Sequence, residues 1–249
     1  MNVRWIGHAS LLIDVAGHRI VTDPLLTRRV AHLRRRRALP TPDVADADTV
    51  LLSHAHLDHL HLPSLHRLRP NARFVSPAGT GRLLRSAGFG DVTEVRVGDQ
   101  VALDGNVTVD VVHAAHKHGR GPHSRVTAPP VGYVVGGGGH RVYFPGDTDL
   151  FDDMAGLGDI DVAFLPIWGW GSTLGTGHLD PTRAATATAL IRPGMVVPIH
   201  WGTYAPEDGR RHLPRWFDAP PERFEAALDE VGQSHRLHLL APGESVTAP

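Results

Sequence analysis

The chain has 249 residues, 41% of them hydrophobic, with 25 basic and 26 acidic side chains, a net charge of −1 and no cysteine. That length and composition allow one large domain with a sizeable core. The near-zero charge argues against wholesale binding to nucleic acid or a membrane surface, and the missing cysteine excludes disulfides and thiolate metal ligands. No apolar run approaches the roughly 18–20 residues of a membrane span, and the N-terminal Met1–Ile6 lacks the apolar core of a signal peptide. A single domain over residues 1–249 and a cytoplasmic location are therefore expected.

Read in chain order, the first quarter is strand-rich. Val3–Gly7 and Ser10–Val15 are predicted strands, Ala16-Gly17 a turn, and Arg19–Thr22 a strand leading into Asp23-Pro24. Thr27–Pro42 carries six arginines between Arg28 and Arg37 and shows no clean periodicity. Thr49–Ser53 is a buried strand, Pro63–Leu68 a short helix, Arg73–Ser76 a strand and Gly79–Ala87 a helix ended by Gly88. Strands then resume at Thr93–Val97, Gln100–Leu103, Val107–His113, Gly132–Val135, Arg141–Phe144 and Ile160–Ile167. Asp180 and Pro181 read as the cap and first position of a helix running to Ile191. Met195–Ile199 is a further buried strand, Pro221–Val231 an amphipathic helix and Arg236–Leu240 a final strand. Two strand blocks, each with its helices, predict an α/β protein built as a four-layer αββα sandwich.

The chemistry is concentrated where strands end. The Thr49–Ser53 strand runs into His54-Ala55-His56-Leu57-Asp58-His59, three imidazoles and a carboxylate within six residues. Imidazole and carboxylate suit divalent ions such as zinc or manganese. His54 and His56 leave the strand end on one side; Asp58 and His59 follow the turn and can address a second ion. Later strands end in His113-Ala114-Ala115-His116-Lys117-His118, in Gly146-Asp147-Thr148 and in His200-Trp201-Gly202. One such ending carries little weight, because a histidine or aspartate there is commonly structural. Four in a cysteine-free chain point to a dinuclear site. The remaining histidines, His18, His32, His66, His140, His212, His235 and His238 among them, read as surface or loop residues.

His54-x-His56-x-Asp58-His59 with His116, Asp147 and Pro198-Ile199-His200-Trp201-Gly202-Thr203 resembles the metallo-β-lactamase superfamily of metal-dependent hydrolases. Trp5-Ile6-Gly7-His8-Ala9-Ser10 and Thr22-Asp23-Pro24 look like the branch containing N-acylphosphatidylethanolamine phospholipase D and ascorbate-6-phosphate lactonase. The resemblance implies the metallo-β-lactamase fold, with His54, His56 and His116 on one metal, Asp58, His59 and His200 on the other, and Asp147 bridging. His116 fits the family pattern best, with His113 and then His118 as alternatives. The implied cofactor is two divalent ions, zinc first and manganese, iron or nickel as alternatives. The implied reaction is hydrolysis of a phosphodiester, lactone or related ester by a bridging hydroxide, which Asp58 can orient. Nothing beyond the shared metal motif points to a β-lactam substrate.

In the resembled branch a histidine placed like His178 faces the site and can protonate a leaving group. Asp23 is a candidate acceptor behind a metal-binding imidazole, or simply a turn residue. His8 is open between packing and substrate contact. Trp168, Trp170 and Tyr204 are candidate walls for an acyl chain or ring. The expected substrate is a small or lipid-like ester, and an anionic one would suit Arg28–Arg37. The alternative reading uses that segment to bind a membrane or nucleic acid, with metals that are only structural.

Overall fold

The computed structural model describes residues 1–38, 41–121, 123–169, 171–207 and 215–249. The first strands are β1 (Asn2–Gly7), β2 (Ser10–Val15) and β3 (His18–Thr22), a meander of two antiparallel pairings. Next come β4 (Arg29–Val30) and β5 (Leu33–Arg35), then β6 (Thr49–Leu51), helix α1 (Leu62–Leu65), β7 (Arg73–Pro77), helix α2 (Gly81–Ser86) and β8 (Val92–Val95). The second half holds β9 (Gln100–Leu103), β10 (Val107–His113), β11 (Val131–Gly137), β12 (His140–Phe144), β13 (Val162–Pro166), helix α3 (Pro181–Ile191), β14 (Met195–Ile199), β15 (Tyr204–Pro206), helix α4 (Pro220–Glu230) and β16 (Ser245–Thr247).

Two large sheets form the body, ordered β16-β1-β2-β3-β6-β7-β8 and β14-β13-β12-β11-β10-β9. Period-2 alternation decides which side chains meet between them. Val3, Trp5, Leu11, Ile13 and Ile20 from the first face Val109, Val111, Tyr133, Val135 and Phe164 from the second. The opposite face of the first sheet, with Leu12, Val21, Val50 and Phe74, is covered by Leu65 and Leu84 of α1 and α2. That of the second, with Tyr143, Ala163, Leu165 and Val196, is covered by Ala184, Ala187 and Phe224 of α3 and α4. The αββα sandwich is thus present, helices outside and two sheets within. In α3 the Asp180 side chain caps the helix by accepting from Arg183 N at 2.9 Å.

Two expectations are corrected. Residues 236–240 do not form a strand; Leu237 makes one isolated bridge to Val196, and the strand that closes the first sheet is β16, against β1. Residues 27–38 are ordered by tertiary contacts where local pattern is silent. β4 and β5 join β15 in a small third sheet. Its arginines are largely spent on internal bonds: Arg35 donates to the carbonyls of Ile6, Leu25 and Ala38, Arg36 to Pro206 O and Arg37 to Gly202 O. Arg29 and Arg34 share Glu207. His18 is likewise buried, with Nε2 2.9 Å from Thr49 Oγ1. Pairing β3 in parallel with β6 encloses a ring that looks surface-exposed in the sequence. Among the described residues no helix is long and apolar enough to cross a membrane. Trp170 and His212 lie outside the described residues.

Candidate metal centre

Strand direction gathers the chemistry. β3 and β6 are parallel, and β1 runs the same way because it is antiparallel to β2, which is antiparallel to β3. β12, β13 and β14 are parallel, and β10 joins them through antiparallel β11. The C-terminal ends of β1, β3 and β6 therefore share an edge of their sheet and deliver His8, Asp23 and His54. Those of β10, β12 and β14 deliver His116, Asp147 and His200. The two edges meet: Val131 N donates to Ser53 O, and His200 N to His8 O. The approach is close enough that a Cβ on Gly146 would collide with the side chain of Ser53, so the residue before Asp147 must be glycine.

The ligand-type atoms form overlapping groups, each within 4.8 Å. One comprises His54, His56 and His116; another His8, Asp58, His59 and His200. Asp147 stands between them, with Oδ2 3.4 Å from His59 Nε2 and 3.9 Å from His116 Nε2, and Oδ1 3.1 Å from His200 Nε2. The expected ligands His54, His56, Asp58, His59, His116, Asp147 and His200 are all brought together. Of the three competing histidines the structure brings in His116. His113 is exposed with its ring edge-on to Phe151, and His118 is exposed.

Hydrogen bonds on the far side of each ring set its tautomer. His59 Nδ1 donates to Asp23 Oδ2 at 2.7 Å, His200 Nδ1 to Trp168 O at 2.8 Å, and His116 Nδ1 to Gly177 O. Ser53 Oγ gives its single proton to the Asp23 carboxylate, so it must accept from His54 Nδ1, 2.9 Å away. In the neutral rings all four Nε2 atoms then carry a lone pair turned inward. His54 Nε2 and His116 Nε2 converge on His56 Nδ1 at 3.0 and 3.1 Å, and one proton cannot satisfy three nitrogens. Asp147 Oδ1 is buried and accepts no hydrogen bond, although His200 Nε2 lies 3.1 Å away. Lone pairs meeting without donors fit a divalent cation, and the imidazole-carboxylate set fits zinc and its neighbours. Asp23 also lies within such a group, but its oxygens already accept from Ser53 N, Ser53 Oγ and His59. It orients ligands.

Charge balance agrees. Burial, joined by neighbouring imidazoles, holds His54 well below its ordinary value, His56 near about 4 and His200 near about 3. Burial also lowers His116, and takes His61, beside Arg120, to about 4. His59 is raised despite burial, because Asp147, Asp58 and Asp23 surround it. Asp58 and Asp147 are held low by their histidine neighbours against the effect of burial.

This predicts how the chelated protein responds to acid. A depressed imidazole destabilises the fold as pH falls below 6.5, since the unfolded chain takes up the proton first. A raised one, His59 or His178, contributes fully below 6.5 and loses its contribution as pH rises through its folded value. Five depressed rings oppose two raised ones, while Asp58 and Asp147 keep their contribution until pH falls below 3.8. Guanidinium midpoints in chelator are expected to fall steadily from about pH 6.5 to about pH 4; a rising midpoint would reverse the assignment.

His178 and two of the aromatic candidates lie around this cluster in different roles. His178 Nε2 is 3.5 Å from Asp147 Oδ2, and its Nδ1 donates to Gly175 O at 3.2 Å. Trp168 is buried and serves as the backbone acceptor for His200. Tyr204 is buried with its hydroxyl bonded to Thr27 O at 2.6 Å, so it packs and does not line a wall. Ser53 and the Gly177 carbonyl were not legible as site groups. Ser53 adjoins the histidine cluster, a hint; a carbonyl leaves no trace in sequence. Gly177 has φ +88°, and a Cβ there would sit 3.1 Å from His116 Nδ1.

Comparison with known proteins gives the family. A family model described as a Beta-lactamase superfamily domain matches residues 18–201. A metal-dependent hydrolase of Methanopyrus kandleri is 32% identical over 250 residues, covering 98% of this chain and 99% of that protein. An N-acyl-phosphatidylethanolamine-hydrolyzing phospholipase D of Caenorhabditis elegans is 31% identical over 80% of this chain and 63% of its own length. The solved structure of a metallo hydrolase from Ignicoccus hospitalis matches with a TM-score of 0.73 and 26% identity, covering 98% of this chain and 97% of that one. On fold, motif and relatives together, the chain belongs to the metal-dependent hydrolases of the metallo-β-lactamase superfamily.

Proposed function

We propose that this protein is a dinuclear metal hydrolase cleaving a phosphodiester, lactone or related ester. The observation that carries the reading is the convergence of inward lone pairs from His54, His59, His116 and His200 around Asp147, whose buried Oδ1 accepts no hydrogen bond. His54, His56 and His116 would hold one ion, Asp58, His59 and His200 the other, with Asp147 between. Zinc suits this histidine-rich set first, with manganese, iron or nickel as alternatives. A bound pair supplies Lewis acidity and acidifies a water.

The chain's own residues do the rest. Asp58, kept ionised by His59 and His8, aligns the attacking water. His178 is raised by its bond to Asp147 against the effect of burial, and with Nδ1–H engaged by Gly175 O it turns Nε2 toward Asp147. A proton delivered from Nε2 to the leaving oxygen would be worth about 10²–10⁴-fold. Leu57, 46% exposed between His56 and Asp58, puts an apolar side chain at the mouth, suited to an acyl group. The Caenorhabditis elegans relative, named for hydrolysing a phospholipid, supports a lipid-like ester; a single-domain enzyme acting in the cytoplasm is part of the same proposal. The alternative of a binding protein using Arg28–Arg37 has less support, since only the Arg28 side chain of those six is without a partner among the described residues.

The test is elemental analysis of protein purified without added metal, followed by turnover of a panel of phosphodiesters and lactones. His178→Ala is expected to keep its metal and lose about 10²–10⁴-fold in kcat. Full activity after exhaustive chelation would sink the reading.

A further inference from the structure

His8 is a buried histidine that the ligand set leaves unused. It follows β1 directly at φ +55°, in the left-handed region that a non-glycine residue enters at a cost. Three bonds hold its backbone there: His8 N donates to Thr203 Oγ1 at 2.9 Å, while its carbonyl accepts from Trp5 Nε1 at 2.9 Å and His200 N at 3.0 Å. His200 is left-handed as well, at φ +63°, and the two rings lie 4.0 Å apart between centroids. Two strained histidines, one from each sheet, are thus bonded backbone to backbone across the seam. The result aims His8 Nε2 at Asp58 Oδ2, 3.0 Å away. That same oxygen faces His59 Nε2 at 3.7 Å and His200 Nε2 at 4.0 Å.

A carboxylate only accepts, so His8 Nε2 carries the proton in this bond. We infer that His8 is a positioning residue for the second ion: its donated hydrogen bond fixes the Asp58 oxygen that shares the His59–His200 pocket. A free aspartate at this turn could swing either oxygen, or neither, toward the pocket. With Oδ2 tethered, one ligand geometry is pre-set. The backbone strain at His8 is the cost of placing a donor there, and packing by Trp5, Thr203 and Tyr204 maintains it. A hydrogen-bonding partner behind a ligand is generally worth about 10–100-fold in metal affinity.

The inference rests on the dinuclear reading, and its test keeps the two apart. Metal-free wild type, His8→Asn and His8→Gln are titrated with zinc against a competing chelator and with cobalt by visible absorption. Asparagine accepts the left-handed backbone but is too short to reach Asp58, whereas the glutamine amide reaches and donates. His8→Asn is expected to bind its first equivalent as wild type does, which also certifies its fold. Its second equivalent should bind about 10–100-fold more weakly, with an altered cobalt spectrum and a lower kcat at nearly constant KM. His8→Gln should recover most of each. If wild type binds fewer than two equivalents, the dinuclear reading itself falls. If wild type binds two and His8→Asn matches it, only the role of His8 falls. A His8→Gln protein as weak as His8→Asn overturns the donor role in favour of His8 as a ligand. Should His8→Asn fail to fold, His8→Gly, which takes the left-handed backbone at no cost and also lacks the donor, replaces it under the same criterion.

Discussion

Asp147→Ala is expected to lose metal and nearly all turnover. This carboxylate is 4% exposed and has His59, His116, His178 and His200 around it within 3.9 Å. Every proposed role converges on it: anchor for both ions, partner of the His178 proton, and counter-charge for His59. Metal Lewis acidity is worth several kcal/mol of transition-state stabilisation; at about 1.4 kcal/mol per decade that is at least about 10³-fold in kcat. Elemental analysis after gel filtration, paired with turnover of a chromogenic phosphodiester, checks both halves. An Asp147→Ala protein with two ions and full activity would show that the ligand set is wrong. Loss of turnover with both ions retained would reassign Asp147 to proton transfer through His178.

Asp23→Ala should have the largest effect on stability of any change near the site. Asp23 is wholly buried and accepts from Ser53 N at 2.7 Å, from Ser53 Oγ and from His59 Nδ1 at 2.7 Å. Truncation strands three donors in a dry interior at about 1–3 kcal/mol each, a large fraction of a typical domain's about 5–15 kcal/mol. Asp23→Asn separates folding from metal binding. The amide oxygen can still accept from Ser53 N, but its NH₂ group must replace an acceptor with a donor. Ser53 Oγ would then accept from the amide and pass its own proton to His54 Nδ1, and His59 Nδ1 would also become an acceptor. In both rings the proton moves to Nε2, where the lone pair is needed. A folded protein by circular dichroism that binds zinc at least about 10-fold more weakly is the expected result. Wild-type zinc affinity in Asp23→Asn would break the tautomer argument.

These two aspartates show how far local sequence reaches. Asp147 was readable because it follows an apolar strand and a glycine, a pattern that locates a side chain at a sheet edge. Asp23 was readable only as a choice between turn residue and ligand support. Both its neighbours in the network, Ser53 and His59, arrive from β6, which pairs with β3 across a long connection. His8 was less legible still, because its value depends on a backbone angle and on a carboxylate fifty residues away. The Arg28–Arg37 run was half legible for a related reason. Arg28, Arg29, Arg34 and Arg37 are exposed, as charge density suggests, whereas the bonds that Arg35, Arg36 and Arg37 donate to backbone carbonyls could not be read from it.

Strand periodicity, capping residues and ligand-type side chains at strand ends were enough to predict the αββα sandwich and to name its metal-binding chemistry, since each depends on residues close together in the chain. Tertiary structure brought in His116, which the family pattern favoured over His113 and His118, and alone decided which imidazole nitrogens face inward and which groups His8 and Asp23 bond. Those outcomes depend on which strand ends meet across the sandwich seam, and on hydrogen bonds made behind each ring by residues far away in the chain.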